Sequence, residues 1–331
     1  MRVHDLPTPA LIIDANAMSS NLAIMTAALP GPRLRPHVKA HKMTALAKRQ
    51  ASQGHSAFTC ATPAEVLGMA EAGLGDDLLL ANETIDAQRL GAMARCDADV
   101  TVAVDSLETI AAAAAAGIKR VIIDVAVGLP RCGIEPANAG RLAQAAGAEN
   151  LVVRGVMGYE GHLVALPDVN ERSDKVAECM ELLLIAHRDV GGELVSAGGT
   201  GTYAVNTAAT EIQAGSYVLM DSAYGGQEDL PFAQALFVDA TVISVAEKWA
   251  VADAGLKALA MDHGDSHTDA GSTWFFSDEH LTFAPSAPAK VGDRIRIVPA
   301  HIDPTVAKHP YANLVDGDEV IEQWPVDLRY W

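Results

Sequence analysis

Several common sequence patterns are missing from this chain of 331 residues. Its four cysteines, Cys60, Cys96, Cys132 and Cys179, are widely spaced and form no CxxC pair. This spacing gives no sign of a disulfide framework. No apolar run is long enough to cross a bilayer, and no charged start followed by an apolar run marks a signal peptide. We therefore expect a cytoplasmic protein without a membrane partner.

Basic residues are also scarce. The chain has 24 lysines and arginines against 42 aspartates and glutamates, a formal net charge of −18. Because binding to phosphate backbones needs a basic surface, this balance argues against a nucleic-acid partner. Half of the residues are hydrophobic, so a chain of this length can bury a large core, and one large domain plus a smaller one is expected.

The first two thirds of the chain alternate short β-like runs with helical patterns, and no GxGxxG motif follows the first run. The absence of that motif counts against a Rossmann fold. Alternation of this kind predicts a parallel (β/α)8 TIM barrel, here over residues 14–234. The predicted strands are 34–39, 57–62, 78–82, 100–105, 121–127, 152–159, 194–198 and 217–221.

After about residue 235 the pattern changes to short strands separated by turn residues, without a helix-length period. We expect a smaller C-terminal, β-barrel-like domain formed by residues 235–331, with residues 1–13 added to it. Its predicted strands are 235–244, 249–252, 256–261, 281–285, 294–299, 312–315 and 319–323, and residues 8–14 are a further candidate.

Lys39 is the first candidate functional residue, because it ends the first predicted strand within a run of two histidines and two lysines, His37 to Lys42. In a barrel, catalytic residues lie at the carboxyl ends of strands. Nearby cations disfavour the ammonium form of a lysine, which makes its amine a nucleophile able to form a Schiff base. A solvated basic turn after a strand is the alternative interpretation.

A glycine-rich loop, Gly198 to Thr202, follows the predicted seventh strand. Backbone amides in such a loop can bind an anion, and loops after strands seven and eight are the usual phosphate sites of barrels. The loop could equally serve only to reverse the chain. Together with a Schiff-base lysine, however, it suggests pyridoxal 5′-phosphate (PLP) as the cofactor.

His301 and Asp303 lie two residues apart in the C-terminal part. On a strand, side chains at i and i+2 share one face, so both could reach one cation. Imidazole with carboxylate suits Mn²⁺ or Mg²⁺, and also Zn²⁺. Such pairs are common and usually have no metal function. His263 either lines the same pocket or lies in a turn.

Seven segments together resemble the fold-type III, alanine-racemase-like PLP enzymes, and more closely the group of D-threonine aldolases and D-serine dehydratases. They follow the family order over nearly the whole chain. The segments are residues 8–11, 35–42, 59–65, 158–162, 198–202, 215–221 and 299–305.

The resemblance implies roles for individual residues. Lys39 corresponds to the lysine that bonds to PLP, Arg131 to an arginine near the phenolic oxygen, and Tyr159 to an aromatic residue beside the ring. Gln213 lies where racemases of this fold place an arginine against the pyridine nitrogen. The implied phosphate site comprises Gly199, Thr200 and Gly201, with Ser216 and Tyr217 close to it.

The resemblance also implies a divalent metal at His301 and Asp303. Dehydratases of the group tend to have a cysteine where this chain has Asp303, so an aldolase is expected that cleaves a D-threonine-like D-β-hydroxy-α-amino acid to glycine and an aldehyde. A D-serine or 3-hydroxyaspartate dehydratase is the alternative. His162 is the candidate base. The local sequence, YEGHL, departs from the Tyr-His-Gly pattern of known aldolases, which leaves a β-hydroxyaspartate or phenylserine-type substrate open.

Two further classes share this fold. A non-catalytic PLP-binding protein is generally a barrel alone, and the C-terminal part argues against it. A racemase needs a second acid–base group, usually a tyrosine, for which Tyr311 and Tyr330 are the candidates. Members of the family usually pair head to tail, so a homodimer is expected.

Overall fold

The computed structural model describes residues 1–330, which divide into two compact units. The barrel unit comprises Met25–Lys39 and Leu46–Gly215, with Tyr330. The sheet unit comprises Met1–Ile24, Ala40–Ala45 and Ser216–Arg329. The predicted domain limits at residues 14 and 234 stay predictions. Among residues 1–330, no helix combines the length and apolar character needed to span a bilayer.

The strands alternate with helices in the first two thirds of the chain and follow one another closely thereafter. The strands are β1 (Ala10–Asp14), β2 (Ala57–Cys60), β3 (Asp77–Leu80), β4 (Val100–Val104), β5 (Arg120–Asp124), β6 (Val152–Met157), β7 (Leu194–Ala197), β8 (Glu211–Ile212), β9 (Leu236–Val245), β10 (Ala250–Ala252), β11 (Gly271–Phe276), β12 (Leu281–Pro285), β13 (Arg294–Ile297), β14 (Tyr311–Asp316) and β15 (Glu319–Pro325). The helices are α1 (Ala15–Ala28), α2 (Thr44–Ser52), α3 (Pro63–Glu71), α4 (Ala87–Arg95), α5 (Leu107–Ala116), α6 (Ala139–Ala148), α7 (Val169–Val190), α8 (Ser222–Gly225) and α9 (Ile302–Lys308).

The barrel unit confirms the predicted β/α barrel. Strands β2 to β8 form one parallel sheet in sequence order. The segment before β2 closes the ring through two isolated parallel bridges, Leu34 with Ile212 and His37 with Thr59. The first predicted strand is therefore reduced to bridging residues, because Pro36 has no amide proton to donate to a ladder. A 3₁₀ helix, Val38–Ala40, follows it.

Capping residues at the starts of the barrel helices explain where the chain leaves a strand and enters the next helix. Thr62 caps α3 by accepting a hydrogen bond from the amide of Glu65 at 3.2 Å, and Pro63 begins the helix. Ser106 caps α5, which ends at Gly117 with a φ of +89°. Caps of this kind satisfy amides that the first turn leaves unpaired, so they fix where each strand ends. The strand ends are where the candidate residues lie.

The sheet unit confirms a β domain that includes β1, which pairs with β9 antiparallel and with β14 parallel. The sheet runs in the order β11-β12-β10-β9-β1-β14-β15, with β13 on β9. Three local predictions were wrong. Residues 217–221 contain a 3₁₀ helix, Ser216–Val218, and residues 256–261 form turns instead of a strand. The C-terminal part also contains a helix, α9.

Candidate functional site

Lys39 lies within the short 3₁₀ helix, one turn beyond the bridging residues, and not at the end of a strand. Its neighbours Val38 and Ala40 are fully buried, whereas Lys39 itself is partly exposed. The amide of Lys39 faces Nδ1 of His37 at 3.5 Å. Buried neighbours fix the backbone on both sides of Lys39, so this lysine projects from a rigid position.

Thr59 lies beside this segment, paired with His37 across the bridge. Its buried Oγ1 has no hydrogen-bond partner among residues 1–330. A buried hydroxyl without a partner is uncommon and costs free energy unless a ligand or water satisfies it. Thr59 therefore marks a polar position that suits a bound molecule next to the lysine segment.

Arg131 and Tyr159 contact each other at the carboxyl end of the barrel sheet. The Arg131 guanidinium lies over the Tyr159 ring, 5.5 Å from its centroid. The Tyr159 ring packs between Gly161 and Gly199. A Cβ atom placed on Gly161 would lie 2.3 Å from the ring, and a Cβ atom on Gly199 would lie 3.4 Å from it. Tyr159 is thus held rigidly against the glycine loop, and the resemblance is consistent with this arrangement.

An acidic cluster that the sequence analysis did not single out surrounds Arg131. It consists of Glu83 after β3, Asp105 after β4, Asp124 at the end of β5 and Cys132 in the loop after β5. Burial, reinforced by the neighbouring Glu83, raises the pKa of Asp124 to about 8. Burial and the same glutamate raise the pKa of the Cys132 thiol to about 12. Cys132 is consequently a neutral thiol near pH 7 and no nucleophile.

The glycine loop is organised by Glu160, which is 1% exposed. Its carboxylate accepts hydrogen bonds from the amide of Gly198 at 3.2 Å, the hydroxyl of Thr202 at 2.9 Å and the side-chain amide of Asn206 at 3.0 Å. Sequence analysis missed this role, although Glu160 lies inside one of the family-like segments. Only its position next to Tyr159 could have drawn attention to it.

Gln213 and His162 take different places in the barrel unit. Gln213 follows β8 and donates its side-chain amide to Ser196 Oγ at 2.8 Å. The hydroxyl of Ser196 in turn donates to Glu211 at 2.6 Å. His162 lies in the 3₁₀ helix Gly161–Leu163 and is exposed. Its ring would be 3.0 Å from a Cβ on Gly128, so it packs on the loop after β5.

In the sheet unit, His301 and Asp303 are not on a strand as predicted. His301 is the residue before α9, and Asp303 lies in the first turn of that helix. The Nε2 atom of His301 is still 4.0 Å from Oδ1 of Asp303. A helix start therefore brings i and i+2 close together, and the binding of one cation by both side chains stays a prediction.

Asp262 and His263 join this pair. Asp262 Oδ2 lies 2.7 Å from His301 Nδ1, and the rings of His263 and His301 stack at 3.8 Å with an interplanar angle of 9°. Ligand atoms of Asp262, His263 and His301 lie within 4.8 Å of one another. Although burial opposes ionisation of Asp262, the hydrogen bond from His301 lowers the pKa of this carboxyl. This donor set of imidazoles and carboxylates fits a divalent cation.

Asp221 positions the helix that follows His301. It is fully buried and accepts hydrogen bonds from the amides of Ile302 and Tyr224, each at 3.0 Å. Burial raises the pKa of Asp221. Nearby, Ser216 and Tyr217 belong to the 3₁₀ helix Ser216–Val218, and the buried Tyr217 ring packs on Phe232 with centroids 5.6 Å apart.

With this geometry established, comparison with known proteins identifies the class. Residues 13–223 match the family model "Alanine racemase, N-terminal domain", and residues 235–315 match "Putative serine dehydratase domain". The chain belongs to the family of the alanine racemase N-terminal domain.

Similarity to individual proteins extends over nearly the whole chain. It is 32% identical to a 3-hydroxy-D-aspartate aldolase of Paracoccus denitrificans (strain Pd 1222), over 99% of this chain and 94% of that protein. It is 31% identical to a D-threonine aldolase of an Arthrobacter species, over 97% and 92%. The solved D-threonine aldolase of Filomicrobium marinum matches with a TM-score of 0.93 and 34% identity, over 99% and 97%.

Proposed function

We propose that this protein is a lyase that depends on PLP and a divalent metal, and that it cleaves a D-β-hydroxy-α-amino acid to glycine and an aldehyde. The observation that carries the proposal is Asp303 beside His301, in a chain similar over almost its full length to two D-amino-acid aldolases. A solved D-threo-3-hydroxyaspartate dehydratase, 25% identical to this chain, is a cysteine variant in the metal-free form. The resemblance implies that Asp303 supplies a carboxylate where dehydratases of the group have a thiolate.

The residues of the barrel unit fit the cofactor. Lys39 would hold PLP covalently, with Arg131 and Tyr159 beside its ring and Gln213 toward its nitrogen. The unsatisfied hydroxyl of Thr59 and the loop of Gly199, Thr200 and Gly201 supply polar partners on the same unit. When bound, PLP accepts the electron pair that the broken Cα–Cβ bond releases.

In the sheet unit, Ser216 and Tyr217 are proposed for the cofactor, and His301 and Asp303 for the metal. A divalent cation supplies Lewis acidity, which lowers the pKa of a hydroxyl group bound to it. Mn²⁺ and Mg²⁺ suit the oxygen-containing donor set, and Zn²⁺ is the third candidate. Asp262 would keep Nε2 of His301 unprotonated, because its carboxylate would accept a hydrogen bond from the N–H at Nδ1.

His162 is the proposed base that removes the proton from the β-hydroxyl of the substrate. A neutral imidazole is suited to this step near pH 7. Its exposed position on Gly128 leaves the ring accessible. The homodimer and the cytoplasmic location also remain proposals.

A product assay tests the function. The purified chain, supplied with PLP and Mn²⁺, is incubated with D-threonine and with D-threo-3-hydroxyaspartate. Glycine with acetaldehyde, or glycine with glyoxylate, would support aldol cleavage. Dehydration would instead give ammonia with 2-oxobutanoate or oxaloacetate, and this result would replace the proposal with the activity of the dehydratase relative of Delftia sp. (strain HT23), 28% identical to this chain.

A further inference from the structure

Glu160 lies beneath the glycine loop and has no role in the chemistry proposed above. We infer that Glu160 is a positioning residue that presets the loop from Gly198 to Thr202 to bind the phosphate group of PLP. The inference rests on the proposed function, because the loop binds a phosphate only if PLP is the cofactor.

The Glu160 side chain and the Tyr159 ring point in different directions. A Cβ on Gly161 would lie 2.3 Å from the Tyr159 ring, so this ring folds back over the next turn of its own segment. The Glu160 carboxylate is directed elsewhere, to three donors that follow β7: Gly198, Thr202 and Asn206. Tyr159 and Glu160 therefore contact the same loop from two adjacent positions.

Thr202 links Glu160 to the Gly199 amide. Its hydroxyl donates to Glu160 at 2.9 Å and accepts from the amide of Gly199 at 3.1 Å. A hydroxyl has one proton, so a Thr202 hydroxyl that donates to Glu160 has none for a phosphate. Glu160 thus determines, through Thr202, where the Gly199 amide points.

Three backbone amides of the loop donate hydrogen bonds within the protein. The amides of Gly198 and Gly199 are used inside the protein, and the amide of Thr202 donates to the carbonyl of Gly199 at 3.2 Å. The amide of Gly201 has no acceptor within residues 1–330. Because the amides of Gly198, Gly199 and Thr202 are fixed internally, the loop can present the Gly201 amide to an anion without reorganising. Bulk at Gly201 is excluded, because its Cβ would lie 2.5 Å from the Val164 carbonyl.

The experiment compares PLP with pyridoxal, which lacks the phosphate. The full-length chain is freed of cofactor with hydroxylamine and titrated with each compound, and binding is followed by visible absorbance. In Glu160→Gln the side-chain NH2 group must face at least one of the three donors, so at least one hydrogen bond is lost. We expect its Kd for PLP to rise about tenfold or more, since a lost charge-assisted hydrogen bond has about that effect. The Kd for pyridoxal should stay within about twofold of wild type.

Thr202→Val provides a second variant that keeps the side-chain volume and removes the relay. It should show the same phosphate-selective loss, and it carries the test if Glu160→Gln does not fold. Glu65→Gln is the matched control, because Glu65 is a fully buried glutamate whose carboxylate accepts the amide of Ala61 at 2.5 Å in another turn. Its ratio of PLP to pyridoxal affinity should equal that of wild type.

Two results would overturn the inference: equal weakening of both compounds in the variants, which indicates a purely structural role, or unchanged affinity for PLP. The proposed function fails separately, and the inference with it, if the wild-type chain binds neither compound.

Discussion

The two units differ in how their strands are buried. In the barrel unit, β3 and β4 are buried along almost their whole length, with sequences such as DLLL and VTVAV. In the sheet unit, β11 and β15 are largely exposed. Parallel strands covered on both faces leave little room for polar side chains except at their ends, whereas an open antiparallel sheet has polar positions throughout. Polar residues therefore indicate function far more clearly in the barrel unit.

The candidate sites differ in the same way. In the barrel unit the candidate residues follow strand ends, as Arg131, Tyr159 and the glycine loop do. In the sheet unit His301 and Asp303 lie at the start of a helix that the sequence did not indicate. If this difference reflects function, substitutions at Lys39 and at Asp303 should separate cofactor binding from metal dependence.

Lys39→Ala tests the barrel side of the division, with the largest expected effect. Loss of the amine that would hold PLP should remove the visible absorbance band of the purified protein and lower kcat/KM about 10³-fold or more. Lys48→Ala, at an exposed position of α2, should retain both. A band that persists in Lys39→Ala would contradict the assigned role.

Asp303→Asn tests the sheet side. Asparagine removes the negative charge of the proposed metal-binding carboxylate. Metal-dependent turnover should therefore fall about 10²-fold or more, while the absorbance band stays unchanged. Turnover is measured across a Mn²⁺ titration, and Asp278→Asn, at an exposed site, is the control. Loss of the band together with turnover would show that the two functions are not separable.

Asp262→Asn should have a smaller effect on the same unit. The 2.7 Å contact with Nδ1 orients the His301 ring. Loss of such a partner typically weakens metal affinity about 10- to 100-fold. Calorimetric titration with Mn²⁺ gives the affinity directly, and an unchanged value would mean that His301 is oriented by its stacking on His263 alone.

Asp124→Asn concerns stability and not turnover. The pKa of Asp124 is raised in the folded protein to about 8, so between about pH 4 and 8 the folded state binds more protons than the unfolded state. The free energy of unfolding should then fall as pH rises, by up to about 1.4 kcal/mol per pH unit. Denaturant titrations at pH 5 and pH 8 should show a smaller fall in Asp124→Asn, and an equal fall would contradict the raised pKa.

Local patterns were sufficient to propose much of the candidate site. The β/α alternation, the glycine loop and the HxD pair each lie within a few residues, so they are visible in the sequence. Glu160 and Asp124 were not identified, and the contact of Asp262 with His301 was not predicted, because each depends on partners distant along the chain. Glu160 contacts residues 38 to 46 positions away, and Asp262 contacts a histidine 39 positions away.

The sequence by itself determined the order of strands and helices in the barrel unit, since burial on both faces imposes continuous apolar runs and caps mark the helix starts. It also singled out Lys39 and His301. Only the tertiary structure decided that Lys39 lies in a 3₁₀ turn, that His301 begins a helix, and that Glu160 supports the glycine loop. The physical reason is that hydrogen bonds between segments far apart in the chain override weak local preferences.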